Sequence, residues 1–386
     1  MAGFGRIIKQ ITSSKTGPTL VFFGGLHGNE KSGVYALETV LKPFSEDGIS
    51  GNLYALAGNL KALEKNQRYL DEDLNRIWTS ESIESIKTKN SPINEEQELL
   101  ELRALLQAIL QKHKGPFYFF DLHTTSSKTL PFITINDAII NRSFSKQFPV
   151  PIVLGIEEYL DGTLLSYINQ FGYVSLGFES GQHNDIQTVR NHIAFINLAL
   201  VFTGLVDQSV IKGFKVYFNQ LKQVGKYNTR FFEIIDLHRI TKDDQFKMCN
   251  GFDSFQTVHK GDKIATHKDG VITSQYNAKI FMPLYQQKGS EGFFLIRGIN
   301  TVFLKLSVWL RILKADSILS MLPGIFWHDK QKGVLKVNLK VAKFMTKPIF
   351  HLLGYRGKQT DATHLLLYNR ERVAKTKMYK REGWYR

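Results

Sequence analysis

The sequence predicts an α/β layer structure for its first two-thirds, and two observations support this fold class. Short apolar runs alternate with segments of helical spacing, as they do when strands and helices alternate along a chain. Polar residues collect at the carboxyl ends of the apolar runs, which is where ligands bind in open α/β sheets. After about residue 210 the pattern changes to short β-like pieces separated by Gly, Lys and Asp, which predicts a smaller β-domain.

Individual elements of the first part can be placed from their patterns. Strands are predicted at residues 19–25, 52–57, 117–123 and 172–179, and helices at residues 29–41, 94–112 and 185–205. The first strand ends in the turn Gly24-Gly25. The helix over 94–112 is predicted with Asn94 as its cap, because acidic residues fill its first turn and basic residues its end.

Length and composition restrict the class of protein. A chain of 386 residues predicts two or three domains, and 43% hydrophobic with 22% charged residues is ordinary globular composition. The single cysteine, Cys249, cannot form an internal disulfide, which favours a reducing compartment. Residues 1–20 lack the pattern of an export signal, and no apolar stretch approaches the roughly 20 residues that span a bilayer. We therefore expect a soluble, cytoplasmic protein without a transmembrane segment.

The net charge of +15 is concentrated at the end of the sequence. Residues 301–386 hold 18 Lys and Arg against five Asp and Glu, so +13 of the charge lies there and +2 in residues 1–300. Four lysines recur there at helical spacing: Lys336, Lys340, Lys343 and Lys347. We interpret them as a solvated helix face. No nucleic-acid motif is present, so no nucleic-acid partner is expected.

Contact with phosphate or with an anionic membrane stays open for this basic segment, because aromatic residues are interleaved with it. These aromatic residues are Trp309, Phe326, Trp327 and Trp384.

Two strand ends together predict a metal site. His27 and Glu30 follow the first strand, and Asp121 and His123 end the strand over 117–123. Each pair alone is weak evidence, since such residues also serve as polar groups of turns and strand ends. Two His and one Glu nevertheless make a three-ligand set with an open position, which suits Zn²⁺. Asp121 and His123 share one side of their strand, so Asp121 is predicted to orient the imidazole or to satisfy a buried polar cluster.

Two further groups have side chains suited to catalysis. The stretch that runs from Arg68 to Asn75 and Arg76 offers guanidinium donors for a carboxylate and for an oxyanion, although a solvated surface run is an alternative interpretation. Glu179 ends an apolar strand, where burial raises a carboxyl pKa toward values useful for proton transfer. Capping of the next helix is the alternative for Glu179.

In this order and spacing the motifs resemble the succinylglutamate desuccinylase and aspartoacylase family, relatives of the zinc carboxypeptidases. The resemblance covers about residues 18–300. It implies a three-layer α/β/α sandwich with a mixed central sheet and a smaller C-terminal β-domain. We accordingly expect a zinc-dependent catalytic domain over 1–210, a β-domain that caps the active site over 211–300, and a basic extension of unknown role over 301–386.

The resemblance also implies roles for single residues. One Zn²⁺ per chain would be bound by His27, Glu30 and His123. Glu179 would transfer protons, and Arg68 would polarise the scissile carbonyl. The remaining implied residues would contact the substrate: Asn75 and Arg76, which would hold its carboxylate, and Tyr285 from the β-domain.

The sequence departs from the aspartoacylase pattern at two positions. Thr124 follows His123 where aspartoacylases tend to have Asn, and we include Thr124 among the substrate-binding candidates. Asn169 stands where family members have an arginine about ten residues before the catalytic Glu. Recognition of an aspartate side chain is therefore not expected to carry over. Gln182 and His183 are predicted either to line the pocket or to serve the entry of the next helix.

The function implied is deacylation of a small N-acyl amino acid of the N-acetyl or N-succinyl type, with release of a carboxylic acid and a free amino acid. A carboxypeptidase-like metallopeptidase is one alternative. Another is a nucleic-acid- or membrane-binding protein with a relic site. A homo-oligomer is compatible with the sequence.

Overall fold

The computed structural model describes residues 4–342, 347–359 and 363–385. Its strands are β1 Ile7–Thr12, β2 Thr19–Gly24, β3 Asn52–Ala57, β4 Phe117–Thr125, β5 Phe132–Ile135, β6 Ile152–Leu154, β7 Val174–Gln182, β8 Phe231–Arg239, β9 Lys247–Met248, β10 Thr257–Val258, β11 Lys263–His267, β12 Gly270–Thr273, β13 Ala278–Phe281, β14 Glu291–Gly298, β15 Ile325–Asp329, β16 Val334–Asn338, β17 Tyr355–Gln359 and β18 His364–Asn369. Its α-helices are α1 Ser32–Leu41, α2 Leu60–Lys65, α3 Ser80–Lys87, α4 Asn94–Lys112, α5 Ile139–Ser145, α6 Leu164–Asn169, α7 Ile186–Phe202, α8 Phe214–Val224, α9 Thr301–Ile312, α10 Lys347–Leu352, α11 Arg370–Val373 and α12 Thr376–Tyr379.

The centre of the molecule is an 11-stranded mixed sheet in the order β1-β3-β2-β4-β7-β5-β6-β8-β14-β13-β10. Its middle strands β3, β2, β4 and β7 are parallel, and β5 runs antiparallel to β7. Alternate residues of β2 enter different cores: Phe22 packs in the cluster that contains Leu37 of α1, and Phe23 in the cluster that contains Leu99 of α4. Helices therefore cover both faces, and the predicted α/β/α sandwich with a mixed central sheet is confirmed.

Most predicted elements occur close to their expected bounds, with two differences. The first helix begins at Ser32 rather than at residue 29, because residues 25–31 form the turn that carries His27 and Glu30. Asn94 is the first residue of α4 and not its cap, which corrects the predicted capping. The carboxylate of Glu96 instead accepts the backbone N–H of Ile93 at 2.9 Å.

The predicted smaller β region follows α8. Strands β8, β14, β13 and β10 continue the central sheet, since β8 pairs in parallel with β6. A separate three-stranded sheet has the order β12-β11-β9. The central sheet thus crosses residue 210 without a break in pairing, and the three domain ranges stay predictions.

The basic extension contains a four-stranded antiparallel sheet in the order β15-β16-β18-β17. The predicted helix face of lysines is wrong, because Lys336 lies in β16 and Lys340 in the turn that follows. Leu335 and Val337 are buried on either side of exposed Lys336, so a strand period determines this segment. Lys343 and the side chain of Lys347 lie outside the described residues. Across the described ranges, no helix has the length and apolar character needed to cross a membrane.

A buried ion-pair cluster attaches the extension to the sheet. Asp137, two residues after β5, is fully buried. It accepts Nε of Arg142 at 2.5 Å, Nη2 of Arg311 at 3.0 Å and Nη2 of Arg356 at 2.8 Å. Arg311 and Arg356 come from α9 and β17, so two elements of the extension converge on one carboxylate of the central body.

Tyr379 provides a second attachment at the other end of the central strands. Its buried hydroxyl donates to the carbonyl oxygen of Phe117 at 2.5 Å and accepts the N–H of Val174 at 3.0 Å. These two residues begin β4 and β7. Trp384 is also buried, and its Nε1 donates to the hydroxyl of Tyr118 at 3.2 Å. Trp384 is therefore a core residue and not part of an exposed aromatic set.

Candidate active site

The turn after β2 places His27 and Glu30 inside the protein. A Cβ on Gly28 would lie 2.0 Å from the backbone carbonyl carbon of Ala62, so this close approach to the backbone of α2 requires glycine. His27 and Glu30 are 4% and 2% exposed. Nδ1 of His27 lies 2.8 Å from Oε1 of Glu30.

His123 reaches the same point from the neighbouring strand β4. Its Nδ1 lies 3.0 Å from Oε2 of Glu30, and the same oxygen accepts the N–H of Thr124 at 2.9 Å. The ligand atoms of His27, Glu30 and His123 all lie within 4.8 Å of one another. The structure therefore brings together the three predicted metal ligands, and two imidazoles with one carboxylate are a donor set that suits zinc.

Each histidine has a carboxylate on its other ring nitrogen. Nε2 of His123 lies 2.8 Å from Oδ2 of Asp121, and Nε2 of His27 lies 3.1 Å from Oδ1 of Asp73. Such partners fix the orientation of metal-binding imidazoles. The pairing of Asp121 follows the prediction from strand alternation. The contact of Asp73 with His27 was not predicted, since the two residues are 46 positions apart.

The Glu30 carboxylate is charged in this arrangement. Its burial favours the neutral form, but His27 and His123 outweigh burial and hold the pKa of Glu30 well below its ordinary value. His123 is affected in the opposite direction. Burial disfavours its cation, yet Asp121 and Glu30 raise the pKa of His123 well above the usual value. The cluster thus attracts positive charge, which a divalent cation would provide.

Glu179 lies beside His123 in the sheet. The two residues are register partners on β7 and β4. Glu179 is 9% exposed, and its Oε2 has no hydrogen-bond partner among the described residues. Burial raises the pKa of Glu179 to about 8, although the nearby His123 opposes this effect. An unpaired carboxyl that gains and loses a proton near neutrality is suited to proton transfer.

Arg68 lies beside the cluster and is mostly shielded from solvent. Its Nη2 pairs with Oδ2 of Asp73 at 3.0 Å, and its Nη1 lies 3.6 Å from Oε1 of Glu30. Burial opposes the charge of Arg68, but Asp73 and Glu30 raise its pKa above the ordinary value. The alternative of a solvated surface run does not hold for Arg68 and Asp73, whose side chains are 12% and 14% exposed.

Arg76 is paired with a residue that sequence reasoning did not single out. Its Nε and Nη2 both lie 3.2 Å from the carboxylate of Glu291, the first residue of β14. Asn75 is tied to the protein by Oδ1, which accepts the N–H of Leu164 at 2.8 Å. Both residues line the cavity beside the three-ligand cluster, so their predicted position at the site agrees with the structure.

Tyr285 is not brought to the cluster. Its side chain is 39% exposed, and its hydroxyl donates to the carbonyl oxygen of Cys249 at 2.8 Å and accepts the N–H of Phe252 at 3.1 Å. The structure places the Tyr285 hydroxyl away from the three-ligand cluster, and its contact with substrate stays a prediction. The next residue, Gln286, lines an outer cavity, which adjoins the cavity that contains the three-ligand cluster.

The other candidates divide between the pocket and the core. Oγ1 of Thr124 lies 2.7 Å from Nδ1 of His183, and both residues line the outer cavity. Burial lowers the pKa of His183, so its imidazole is neutral near neutral pH. Asn169 is buried, and its Nδ2 donates to the Ser175 hydroxyl at 2.7 Å. Asn169 has a packing role and does not line either cavity.

Two adjoining cavities form the site. The inner one contains the three-ligand cluster and Glu179. The outer one shares Arg68, Arg76 and Thr124 with it and opens past residues of the β region. Polar residues form most of the walls, and six apolar side chains complete them: Ile156, Leu160, Leu165, Met282, Leu284 and Phe294. Within the described part of the chain, Arg68 and Arg76 are the only Arg or Lys side chains that line these two cavities.

Comparisons with known proteins show what the first half of the chain is similar to. The profile described as the succinylglutamate desuccinylase/aspartoacylase catalytic domain matches residues 16–202. A probable aspartoacylase from Acaryochloris marina is 31% identical over 128 residues, which is 32% of this chain and 40% of that protein. A human N-acyl-aromatic-L-amino acid amidohydrolase (carboxylate-forming) is 36% identical over 107 residues, which is 27% of this chain and 32% of that protein. The chain thus matches a third to two fifths of the length of these curated relatives.

Solved structures are similar over a longer range. A succinylglutamate desuccinylase/aspartoacylase from Rhodobacter sphaeroides aligns with a TM-score of 0.56 and 16% identity, over 75% of this chain and 88% of that one. A succinylglutamate desuccinylase from Vibrio parahaemolyticus aligns with a TM-score of 0.53 and 13% identity, over 78% of this chain and 97% of that one. The fold and the family resemblance predicted from the motifs are confirmed.

Proposed function

We propose that this chain, whose residues 16–202 match the succinylglutamate desuccinylase/aspartoacylase catalytic domain, is a zinc-dependent hydrolase of N-acyl amino acids. One observation supports this proposal most strongly: a buried His27, Glu30 and His123 set adjoins the unpaired carboxyl of Glu179 and the guanidinium of Arg68 in one cavity. This combination supplies the metal ligands, the proton carrier and the cationic donor that hydrolysis of an amide needs.

The side chains then have distinct tasks. Zinc held by His27, Glu30 and His123, one ion per chain, would lower the pKa of water toward ~7 and polarise the acyl carbonyl. Glu179 takes the proton of the attacking water on its free Oε2 and later gives it to the leaving nitrogen. Arg68 donates to the oxyanion that develops on the former carbonyl oxygen.

The carboxylate of the amino acid is assigned to Arg76. Its fork of donors already holds the Glu291 carboxylate through two contacts, and this pairing supports a role for Arg76 in binding a carboxylate. Asn75 accepts from Leu164 through Oδ1, so its amide nitrogen is the group that can donate to a ligand. A substrate carboxylate would exchange with Glu291 on the guanidinium.

The cavity favours an amino acid with a neutral side chain. If Arg68 serves the oxyanion and Arg76 the α-carboxylate, neither Arg nor Lys is left on the walls for a second carboxylate. Apolar residues such as Leu284 and Phe294 line the outer part instead. The similarity to a human N-acyl-aromatic-L-amino acid amidohydrolase agrees with this inference.

A product assay tests the proposal. Zinc-loaded full-length protein is incubated with N-acetyl-leucine, N-acetyl-phenylalanine, N-acetyl-aspartate and N-succinyl-glutamate, and free amino acid is measured. We expect release from the two neutral substrates at least tenfold faster than from the acidic ones. Release of C-terminal residues from peptides, with none from N-acyl amino acids, would favour the carboxypeptidase alternative.

Metal content provides the control for the ligand assignment. His27→Ala should lose both bound zinc and turnover, because two ligands hold the ion far more weakly than three. The matched variant His259→Ala alters an exposed histidine and should keep both. Full zinc occupancy in His27→Ala would refute the proposed ligand set.

A further inference from the structure

Helix α9 presents an apolar stripe to solvent. The stripe consists of Val302, Leu306, Trp309 and Leu313, which are 65%, 42%, 68% and 61% exposed. Their spacing of i, i+4, i+7 and i+11 puts them on one side of the helix and its last turn. Ser307 and Arg311 on the opposite side are buried. The inner side of the helix thus holds buried polar side chains beside the partly buried Leu304 and Leu310, while large apolar side chains face solvent.

The segments after α9 enlarge this apolar surface. Ile318 and Met321, in the short 3₁₀ helix over 315–321, are 60% and 82% exposed. Phe326 in β15 is 62% exposed. More than half of the large apolar side chains that are exposed in the described part of the chain fall between residues 302 and 349. A concentration of this kind marks an interaction site.

Positive charge accompanies the apolar residues. The exposed lysines between residues 301 and 342 are Lys305, Lys314, Lys330, Lys332, Lys336 and Lys340. The two acidic residues of this range are shielded: Asp316 is buried and pairs with Arg372 at 2.8 Å, and Asp329 is half-buried. Lys305 lies between stripe residues, and Lys336 is the cross-strand neighbour of Phe326. Cations and apolar groups therefore share one surface.

We propose that this surface docks the protein on an anionic lipid bilayer. Trp309 and its apolar neighbours would enter the boundary between headgroups and acyl chains, and the lysines would contact anionic headgroups. This mode of binding needs no spanning helix, and none is found in the described ranges. A second copy of the chain is a poorer partner, because a symmetric interface would bring like-charged lysines together. The proposal does not depend on the enzymatic activity proposed above.

Vesicle sedimentation tests the proposal with the full-length chain. Vesicles of phosphatidylcholine alone are compared with vesicles that contain 30% phosphatidylserine, at low and at physiological ionic strength. We expect at least tenfold stronger binding to the anionic vesicles, and weaker binding as salt rises. The double variant Trp309→Ser, Leu313→Ser should lose at least tenfold of this binding. The matched variant Val216→Ser, which alters an exposed apolar residue of α8, should bind within twofold of the wild type.

Two additional measurements make the result decisive. Far-ultraviolet circular dichroism and thermal unfolding establish that both variants are folded, as expected for substitutions of exposed side chains. Light scattering reports the oligomeric state. Equal binding of the wild type to neutral and anionic vesicles would overturn the proposal, as would undiminished binding of the folded double variant. A dimer that the double variant disrupts, without vesicle binding by the wild type, would instead assign the surface to a second copy of the chain.

Discussion

Glu179 is a carboxyl group whose Oε2 has no hydrogen-bond partner in the described structure, next to the predicted metal ligands. Glu179→Gln keeps the size of the side chain but cannot carry a proton. We therefore expect the variant to retain zinc and fold while turnover falls roughly 10²–10⁴-fold. Steady-state rates and zinc content check this, with Glu101→Gln, a half-exposed carboxylate of α4, as the control that should keep full activity. A decrease of less than tenfold would assign Glu179 a structural role.

The raised pKa of Glu179 predicts how pH changes the folding stability of the metal-free protein. Burial raises the pKa of Glu179 from its ordinary 4.5 to about 8 in the folded chain. Between these values the folded state holds a proton that the unfolded state releases, so this group makes folding less favourable as pH rises. In chelator-treated protein, the urea midpoint of the wild type should fall more between pH 5.5 and 8 than that of Glu179→Gln. Parallel curves for the two proteins would contradict the shifted pKa.

Because Arg76 is paired with Glu291, substitutions of these two residues should change KM in opposite directions. Arg76→Lys loses the planar pair of donors and should raise KM for N-acyl amino acids about tenfold or more. Glu291→Gln removes the internal carboxylate that competes for Arg76, so KM should fall. Initial rates on N-acyl amino acids and on their C-terminal amides measure both effects. Equal rates of the wild type on acid and amide would exclude Arg76 as the carboxylate site.

Sequence patterns located some of these residues and could not locate others. His27, Glu30, His123 and Glu179 could be assigned because strand ends gather at one edge of a sheet, and the structure brings them together there. Glu291 could not be assigned, because its partner Arg76 lies 215 positions away and no local pattern encodes that contact. Tyr285 was placed by resemblance alone, and its hydroxyl bonds to the loop carbonyl of Cys249 instead.

At the scale of elements, the Asp137 cluster joins α9 and β17 to the loop after β5. Arg311→Met would remove one of the cations that pair with the buried carboxylate of Asp137. We therefore expect a loss of about 3 kcal/mol in the free energy of unfolding. Arg297→Met removes a mostly exposed partner of Glu233 and should cost less than about 1 kcal/mol. Urea denaturation of the two zinc-loaded variants gives the comparison. Similar losses for both would indicate that the cluster does not hold the extension in place.

Helices and strands were predictable where the apolar residues of a segment follow one clear pattern. The helix α4 is predictable because its pattern continues over 19 residues, and the strands β2, β4 and β7 are predictable because each apolar run ends in a glycine turn or in polar residues. The lysines around Lys336 satisfied a helical spacing by coincidence, while Leu335 and Val337 follow the strand period that packing selects. Period alone cannot decide between helix and strand over so few residues, because burial depends on partners elsewhere in the chain.

On the scale of the whole molecule, the segment that holds most of the net charge is not a structurally separate unit. The sequence locates +13 of the net charge in residues 301–386, yet this segment packs onto the central body through buried arginines and aromatic side chains. Composition predicted the asymmetry of charge. It could not predict that Arg311 and Arg356 are internal while the exposed lysines stand beside Trp309, since only the tertiary structure separates buried from exposed cations.

The hydroxyl of Tyr379 joins the first residues of β4 and β7, and it lies 262 positions after Phe117 in the chain. A ribosome that adds about 5–20 residues per second reaches Tyr379 on the order of 10–50 s after it has completed Phe117. During that interval the nascent strands that carry His123 and Glu179 lack this link between their starting ends. Translation that stops before Tyr379 would therefore release a polypeptide without this link between β4 and β7, and we expect cellular proteases to degrade it faster than the full chain.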